Sequence, residues 1–255
     1  MFDITISILA FFTAIGVSTF AMTTGGEGAI LFIPFFLLLG IEPKIAIGTS
    51  FITQLFGKAS GTIGYLNELK NCKNILIRLV IVSIPGVIIG SLLVSYIKPQ
   101  FLQFAFGIVA IILAATMLLS LFKSENVKEN ITTPELVPWL CIPFLASVLT
   151  GILAIGSGTI NTVLLERILK LKMHLVVATV VATMAFTAMA GAVVHLSLGT
   201  VYWPIAVFTI AGVLIGGQIG PRIARKMHTN WIKALFAALT FIVGVVTCII
   251  AFGNF

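Results

Sequence analysis

Runs of about 20 apolar residues recur from one end of the chain to the other, among them residues 4–22, 75–97, 101–122 and 232–252. As helices, such runs rise far enough to cross roughly 30 Å of hydrocarbon. Polar residues gather in short punctuations, and the pattern predicts ten hydrophobic helical segments. Five lie at about 4–24, 27–41, 44–66, 74–97 and 100–122, and five at about 136–155, 157–170, 173–197, 201–224 and 230–252. The one long polar stretch, "KSENVKENITTPE" at residues 123–135, falls near the middle. The fold class expected is an all-α polytopic membrane protein.

The two halves resemble each other. A shift of 130 positions brings Gly26, Gly28 and Ile30 onto Gly156, Gly158 and Ile160, with no gap. The same shift carries Thr49, Thr53, Phe56 and Gly61 onto Thr179, Thr183, Phe186 and Gly191, and Gly86, Gly90 and Phe106 onto Gly216, Gly220 and Phe236. One shared register over so long a stretch indicates an internal duplication. The expected organisation is a first five-segment repeat at 1–122, a cytoplasmic linker at 123–135 and a second repeat at 136–255, forming one integrated transport domain. With five segments each, the copies insert in opposite directions.

Composition and charge sharpen this picture. The chain is 59% hydrophobic and 9% charged, with a mean hydropathy of +1.18. A net charge of +7 would suggest nucleic acid in a soluble domain, but here the basic residues are scattered over short loops and report orientation. Ten crossings put Lys70, Lys73, Arg78, Lys123, Lys128, Arg167, Lys170, Lys172, Arg222, Arg225, Lys226 and Lys233 on one side, the cytoplasmic one. Lys44 and Lys98 then face the other side, and Lys58 lies within the membrane. If the second segment of each half merely dipped in and returned, the split would be nine against five, which fits the rule less well. The expected location is the cytoplasmic (inner) membrane, with both termini non-cytoplasmic. An inverted repeat of this kind is the architecture of many secondary transporters. The first segment lacks a basic leader region and reads as an uncleaved helix. Cys72, Cys141 and Cys248 are widely spaced, so neither a disulfide framework, a zinc site nor a cofactor is expected.

The second segment of each half is short. About 15 residues reach roughly 21–22 Å at the helical rise, so these helices must start below the membrane surface. Both open in glycine, as "GGEG" at residues 25–28 and "GSG" at 156–158. A recessed helix start exposes unpaired backbone N–H groups and the positive end of its dipole, and glycine lets a small ion approach closely. In discontinuous transporter helices these ends face anionic groups. The expected substrate-binding residues are Gly25, Gly26, Glu27, Gly28, Gly156, Ser157, Gly158 and Thr159, joined by the hydroxyls of Thr49, Ser50 and Thr179. Any single glycine or hydroxyl has an ordinary alternative, in helix packing or in bonding its own backbone. What favours a site is the pairing of two such clusters in equivalent positions.

These residues carry a family resemblance. The glycine cluster and proline-containing segment "GGEGAILFIPFFLLLG", the following "AIGTS", their second-half counterparts, "GAVVHLSLGTVYWPIA" and "GVLIGGQIGPRIARK" together resemble the sulfite exporter TauE/SafE family over essentially the whole chain. The resemblance implies transport of small anions of the sulfite, sulfoacetate and thiosulfate class across the cytoplasmic membrane. Family members usually show an uninterrupted glycine run where this chain has Glu27 and Ser157, and "GTS" in the second half is replaced by "ATV".

Glu27 and Lys58 each lie fourteen residues from the turn at residues 42–43, on opposite strokes, and so at equal depth. Intramembrane charges usually pair, and the matching positions, Ser157 and Ala188, lack both charges together. The two residues are therefore expected to neutralise each other, either as a structural clasp or as a proton-linked switch in which an incoming anion competes for Lys58. Gln54, one turn from Lys58, completes the expected polar lining. His195 is expected at the interface, and Gln218 is expected to bridge backbones. Glu166, Arg167, Lys170, Lys172 and His174 read as a cytoplasmic orientation cluster. Alternatives from the sequence are a cation- or proton-coupled carrier with Glu27 as ion ligand, and an anion channel. A membrane enzyme is disfavoured, because Asp3 is the only aspartate and the histidines fall on loops or helix ends. The expected partners are a small anion, lipid and a coupled proton, with monomer and homodimer both open.

Overall fold

The computed structural model describes residues 4–121, 137–225 and 229–253. The linker at 123–135 and the basic residues Lys123, Lys128 and Lys226 lie outside the described residues. All regular structure among the described residues is helical. The first half contains α1 (Ile4–Thr24), α2 (Ala29–Leu38), α3 (Pro43–Gly64), the one-turn α4 (Leu66–Leu69), α5 (Lys73–Leu93) and α6 (Pro99–Leu121). The second half contains α7 (Cys141–Leu153), α8 (Ser157–Val163, continuing as a π turn over Leu164–Ile168), α9 (Met173–Ser197), α10 (Trp203–Ala224) and α11 (Thr229–Gly253). Five helices, Ile4–Thr24, Lys73–Tyr96, Pro99–Leu119, Met173–Ser197 and Trp203–Ala224, are long and apolar enough to cross a membrane. The chain is an all-α multi-pass membrane protein.

Local chemistry sets the helix ends. Gly40 at φ 77° lets the Ile41 N–H reach back to the Phe36 carbonyl at 3.1 Å, so α2 stops short of the expected residue 41. Pro43 then opens α3 with its ring already at a helical φ. In the second half Lys170 takes the matching positive φ of 55° without glycine, after α8 has loosened into its π turn.

The helices pair in a pattern that survives exchange of the halves. α1 packs on α10, and α7 on α5; α3 packs on α9, and α6 on α11. Two seams depend on small residues. A carbon added at Gly212 or Gly216 of α10 would lie 2.4 Å from the carbonyl oxygen of Phe11 or Ile15 on α1. On α5, carbons added at Gly86 and Gly90 would lie 2.6 and 2.1 Å from the Phe144 and Val148 carbonyls of α7. The backbones thus approach closely, the packing mode of helices in lipid.

The correspondence departs from the gapless register at one place. Gly216 meets Ser18, and Gly86 meets Ser147; the serines are 129 positions apart and the glycines 130. The break after α1, residues 25–28, is one residue longer than the break after α7, residues 154–156.

Gly216→Ala is expected to lower the thermal midpoint of the detergent-purified protein, through a loss of about 1–3 kcal/mol from overpacking. Gly16→Ala, whose added carbon meets nothing within 4 Å, should instead stabilise α1 by up to about 1 kcal/mol. Tryptophan-fluorescence melts of both variants check this, and equal midpoints would contradict the α1–α10 seam.

Candidate anion site at the two helix breaks

Both breaks are built from local hydrogen bonds. At the end of α1 the Thr24 hydroxyl donates to the Phe20 carbonyl at 3.1 Å and accepts from the Gly26 N–H at 3.2 Å. Gly25, at φ 70°, turns the chain. The N–H groups of Leu31 and Phe32 then return to the Gly28 carbonyl, both at 3.0 Å, starting α2. At the second break Ala154 (φ 58°) and Gly156 (φ 126°) turn the chain out of α7. The Thr150 hydroxyl accepts from the Ser157 N–H at 2.7 Å, capping α8 from the preceding helix.

The breaks meet through Glu27. Its carboxylate accepts hydrogen bonds from the N–H groups of Gly156 and Gly158, one to each oxygen. Glu27 is 0% exposed. Three consecutive N–H groups at the start of α8 are thereby satisfied, two by a carboxylate from the other half of the chain and one by Thr150. Such a start needs an acceptor, because an unpaired buried N–H costs about 1–3 kcal/mol, and the helix dipole favours one that is negative. Gly158 makes the approach possible: a carbon added there would lie 2.8 Å from Glu27 Cγ and 2.7 Å from Met184 Sδ.

Lys58, also buried, points to the same place from α3. Its Nζ donates to the Gly26 carbonyl at 2.6 Å and contacts Met184 Sδ at 3.5 Å. The expected mutual neutralisation acts here through space rather than through contact. Glu27 and Lys58 lie within electrostatic reach of one another but form no direct ion pair, because each is already committed to backbone at a break. Gln54, one turn away on α3, reaches the Ala154 carbonyl at 3.5 Å and Ser50 Oγ at 3.4 Å. One face of α3 therefore addresses both breaks.

The structure brings together Gly26, Glu27, Gln54, Lys58, Gly156, Ser157 and Gly158, with Gly28 at the start of α2 and Ser50 behind Gln54. The Ser157 hydroxyl lies beside the Glu27 carboxylate and makes no hydrogen bond of normal geometry. Gly25 and Thr159 line a small cleft between the first break and α8, with Thr162 and Met117. Thr49 and Thr179 stand apart. Thr49 donates to the Ile45 carbonyl at 2.7 Å and accepts from the Tyr202 N–H at 2.9 Å, so it anchors the loop before α10. Thr179 donates to its own helix, at the Leu175 carbonyl, 2.7 Å.

Sequence reasoning missed Thr150, Met184 and Asn161. Thr150 lies seven residues before the helix start that it caps, a spacing no local capping rule includes. Met184 is one apolar residue among many. Asn161 carried a usable signal, as an amide inside an apolar stretch. His195, near the end of α9, is 0% exposed: its ring stacks on Phe51 with centroids 5.1 Å apart, and Nδ1 bonds Thr200 Oγ1 at 2.8 Å. Gln218 bridges as expected, donating to the Ser60 carbonyl at 2.7 Å. No group of three potential metal-ligating side chains occurs among the described residues.

The family model described as sulfite exporter TauE/SafE matches residues 10–247. The chain is 24% identical over 244 residues to the probable membrane transporter protein YunE of Bacillus subtilis (strain 168), covering 86% of this chain and 89% of that protein. It is 28% identical over 225 residues to the probable membrane transporter protein YjnA of the same organism, covering 80% and 86%. The probable membrane transporter protein ORF9 of Sinorhizobium sp. is 25% identical over 247 residues, covering 94% and 92%. No solved structure matches the chain. With its helices arranged around two breaks and its match extending over nearly its whole length, the chain belongs to the sulfite exporter TauE/SafE family, and it is a membrane transporter rather than an enzyme.

Proposed function

We propose that the protein is a secondary transporter of small anions that works by alternating access between two inverted halves, residues 1–122 and 136–255, and moves a proton in the same cycle. The observation that carries this reading is that an anion already stands at the start of α8. The Glu27 carboxylate, held by the Gly156 and Gly158 N–H groups, marks two donors set to take two oxygens of one anionic group. Carboxylates, sulfonates and sulfite all present such a pair. The family description favours the sulfur-containing members: sulfite, sulfoacetate and thiosulfate.

In this mechanism the substrate competes with Glu27 for the α8 amides. Protonation of Glu27 removes the charge that holds it there, and the amides pass to the incoming anion. Lys58 keeps the first break closed on the Gly26 carbonyl and supplies positive potential beside the exchanged anion. Deprotonation of Glu27 on the other side returns the carboxylate and expels the substrate.

The exchange symmetry of the helix pairings supports two equivalent halves that rock on each other. On the face proposed as cytoplasmic, Arg225 bonds the Gly64 carbonyl at 2.6 Å and Glu68 at 3.0 and 3.2 Å, while Tyr65 donates to the Met22 carbonyl at 2.7 Å. Opening to that face must break these contacts between α10, the end of α3 and the end of α1. The proposed setting is the cytoplasmic membrane, with both termini outside the cytoplasm.

In proteoliposomes, anion uptake by the wild type is expected to rise as pH falls between about 8 and 5, because protonated Glu27 yields its place. Glu27→Gln removes the competing charge, so its apparent anion affinity should be about tenfold higher and nearly independent of pH, given that charged hydrogen bonds contribute about 1.5–3 kcal/mol. A flat wild-type profile would rule out the proton-linked exchange. Preloaded anion is expected to accelerate uptake of labelled anion; no counterflow would assign a channel instead. Lys58→Ala should weaken binding about tenfold or more in a titration monitored by thermal shift, since it removes the lysine that supplies positive potential at the site and frees a buried carbonyl.

A further inference from the structure

The proposed seat at the start of α8 accounts for Gly156, Gly158 and Glu27 but leaves the rest of that helix face unused. Asn161 lies three residues after Gly158 and four after Ser157, so it falls on the side of α8 where Gly158 meets Glu27 and Met184. Asn161 is 0% exposed, and among the described residues neither its Nδ2 nor its Oδ1 has a hydrogen-bond partner. The hydroxyl of Thr159 is buried and unpartnered as well. This contrasts with the buried Thr49 of α3 and Thr179 and Thr183 of α9, which each donate to the carbonyl four residues earlier.

An unpaired buried amide is destabilising, and asparagine is a poor helix former. The residue at the corresponding position of α2 is Leu31, which bears no polar group. An amide kept at such a cost, one turn from an anion seat, is suited to reading a ligand.

We infer that Asn161 is a specificity-determining residue that reads the far end of the transported anion. The inference rests on the seat proposed above. Three residues of helix place Asn161 about 4.5 Å along the axis from Gly158. That span matches two or three bonds beyond the anionic atom. Asn161 offers two donors and an acceptor and no charge, so it suits a neutral group that both donates and accepts. A second anionic group would meet no counter-charge there, since Lys58 is committed at the first break. The ligand class assigned is therefore a short monoanion, carboxylate or sulfonate, with a hydroxyl or amide two to three bonds from the head, in place of the sulfite, sulfoacetate and thiosulfate that the family description by itself favours.

Matched pairs that differ by hydroxyl against methyl test this on the purified full chain by calorimetry. The pairs are 3-hydroxypropionate with butyrate, and 2-hydroxyethanesulfonate with propanesulfonate. In the wild type the hydroxylated member of each pair should bind at least about tenfold more tightly, because a site built to bond a hydroxyl rejects the analogue lacking it. Asn161→Leu, which introduces the residue found at position 31, should bring each pair to within about twofold. It should also raise the thermal midpoint, because it removes an unpaired buried amide. Equal wild-type affinities within both pairs would overturn the assignment without any variant, as would an Asn161→Leu protein that keeps the preference. If no member binds either wild type or Glu27→Gln, the seat itself is refuted, and the role of Asn161 falls with it. Binding of the methyl members alone refutes only the latter.

Discussion

The structure turns on how the start of α8 is satisfied where it cannot reach bulk water. A helix that begins inside a membrane presents N–H groups that must find acceptors. Here Thr150 supplies one acceptor from the preceding helix, and Glu27 supplies two from the opposite half of the chain. The carboxylate and the positive helix end stabilise each other, which is why an acidic side chain can be wholly buried in so apolar a chain. Because its donors come from one half and its acceptor from the other, this contact also ties the halves together at the point where both are broken.

Lys58 solves the reciprocal problem. The turn at Gly25 and Gly26 leaves a carbonyl that α2 does not use, and the ammonium takes it at 2.6 Å. Glutamate and lysine therefore do not neutralise each other by contact. Each serves a backbone group of the sign opposite to its own, and their mutual attraction acts across the break. An arrangement of this type can exchange its anion without dismantling the cation. A direct ion pair would have to lose both partners at once, leaving a buried charge uncompensated at a cost of about 3–5 kcal/mol.

Much of the fold was legible as pattern. Each of the ten expected apolar segments contains a helix among the described residues, because helix formation and burial in lipid both follow from the local run of side chains. The breaks were legible too, since paired glycines beside segments too short to span hydrocarbon do not fit an unbroken helix. Helix ends were read less well: α2 closes early because Gly40 adopts a positive φ, and the π turn at the end of α8 has no signature in the letters. The gapless register failed by one residue between α1 and α7, since sliding a sequence on itself does not see which residues face each other across a seam. The enclosure of His195 by Phe51 and Thr200 was not legible, because both partners are set by the fold rather than by its place near a helix end.

By itself the sequence determined that the chain is helical, membrane-embedded and broken near Gly25 and Gly156, since these properties depend on residues within a few turns of each other. Only the tertiary structure decided that Glu27 serves Gly156 and Gly158, that Lys58 serves Gly26, that Thr49 and Thr179 turn away, and that Asn161 is left unpartnered. Those outcomes depend on distances between segments far apart in the chain, set by glycine seams whose depth is a property of two helices together. A hydrogen bond needs its partner within about 3 Å, and no periodicity along one strand of sequence encodes that separation.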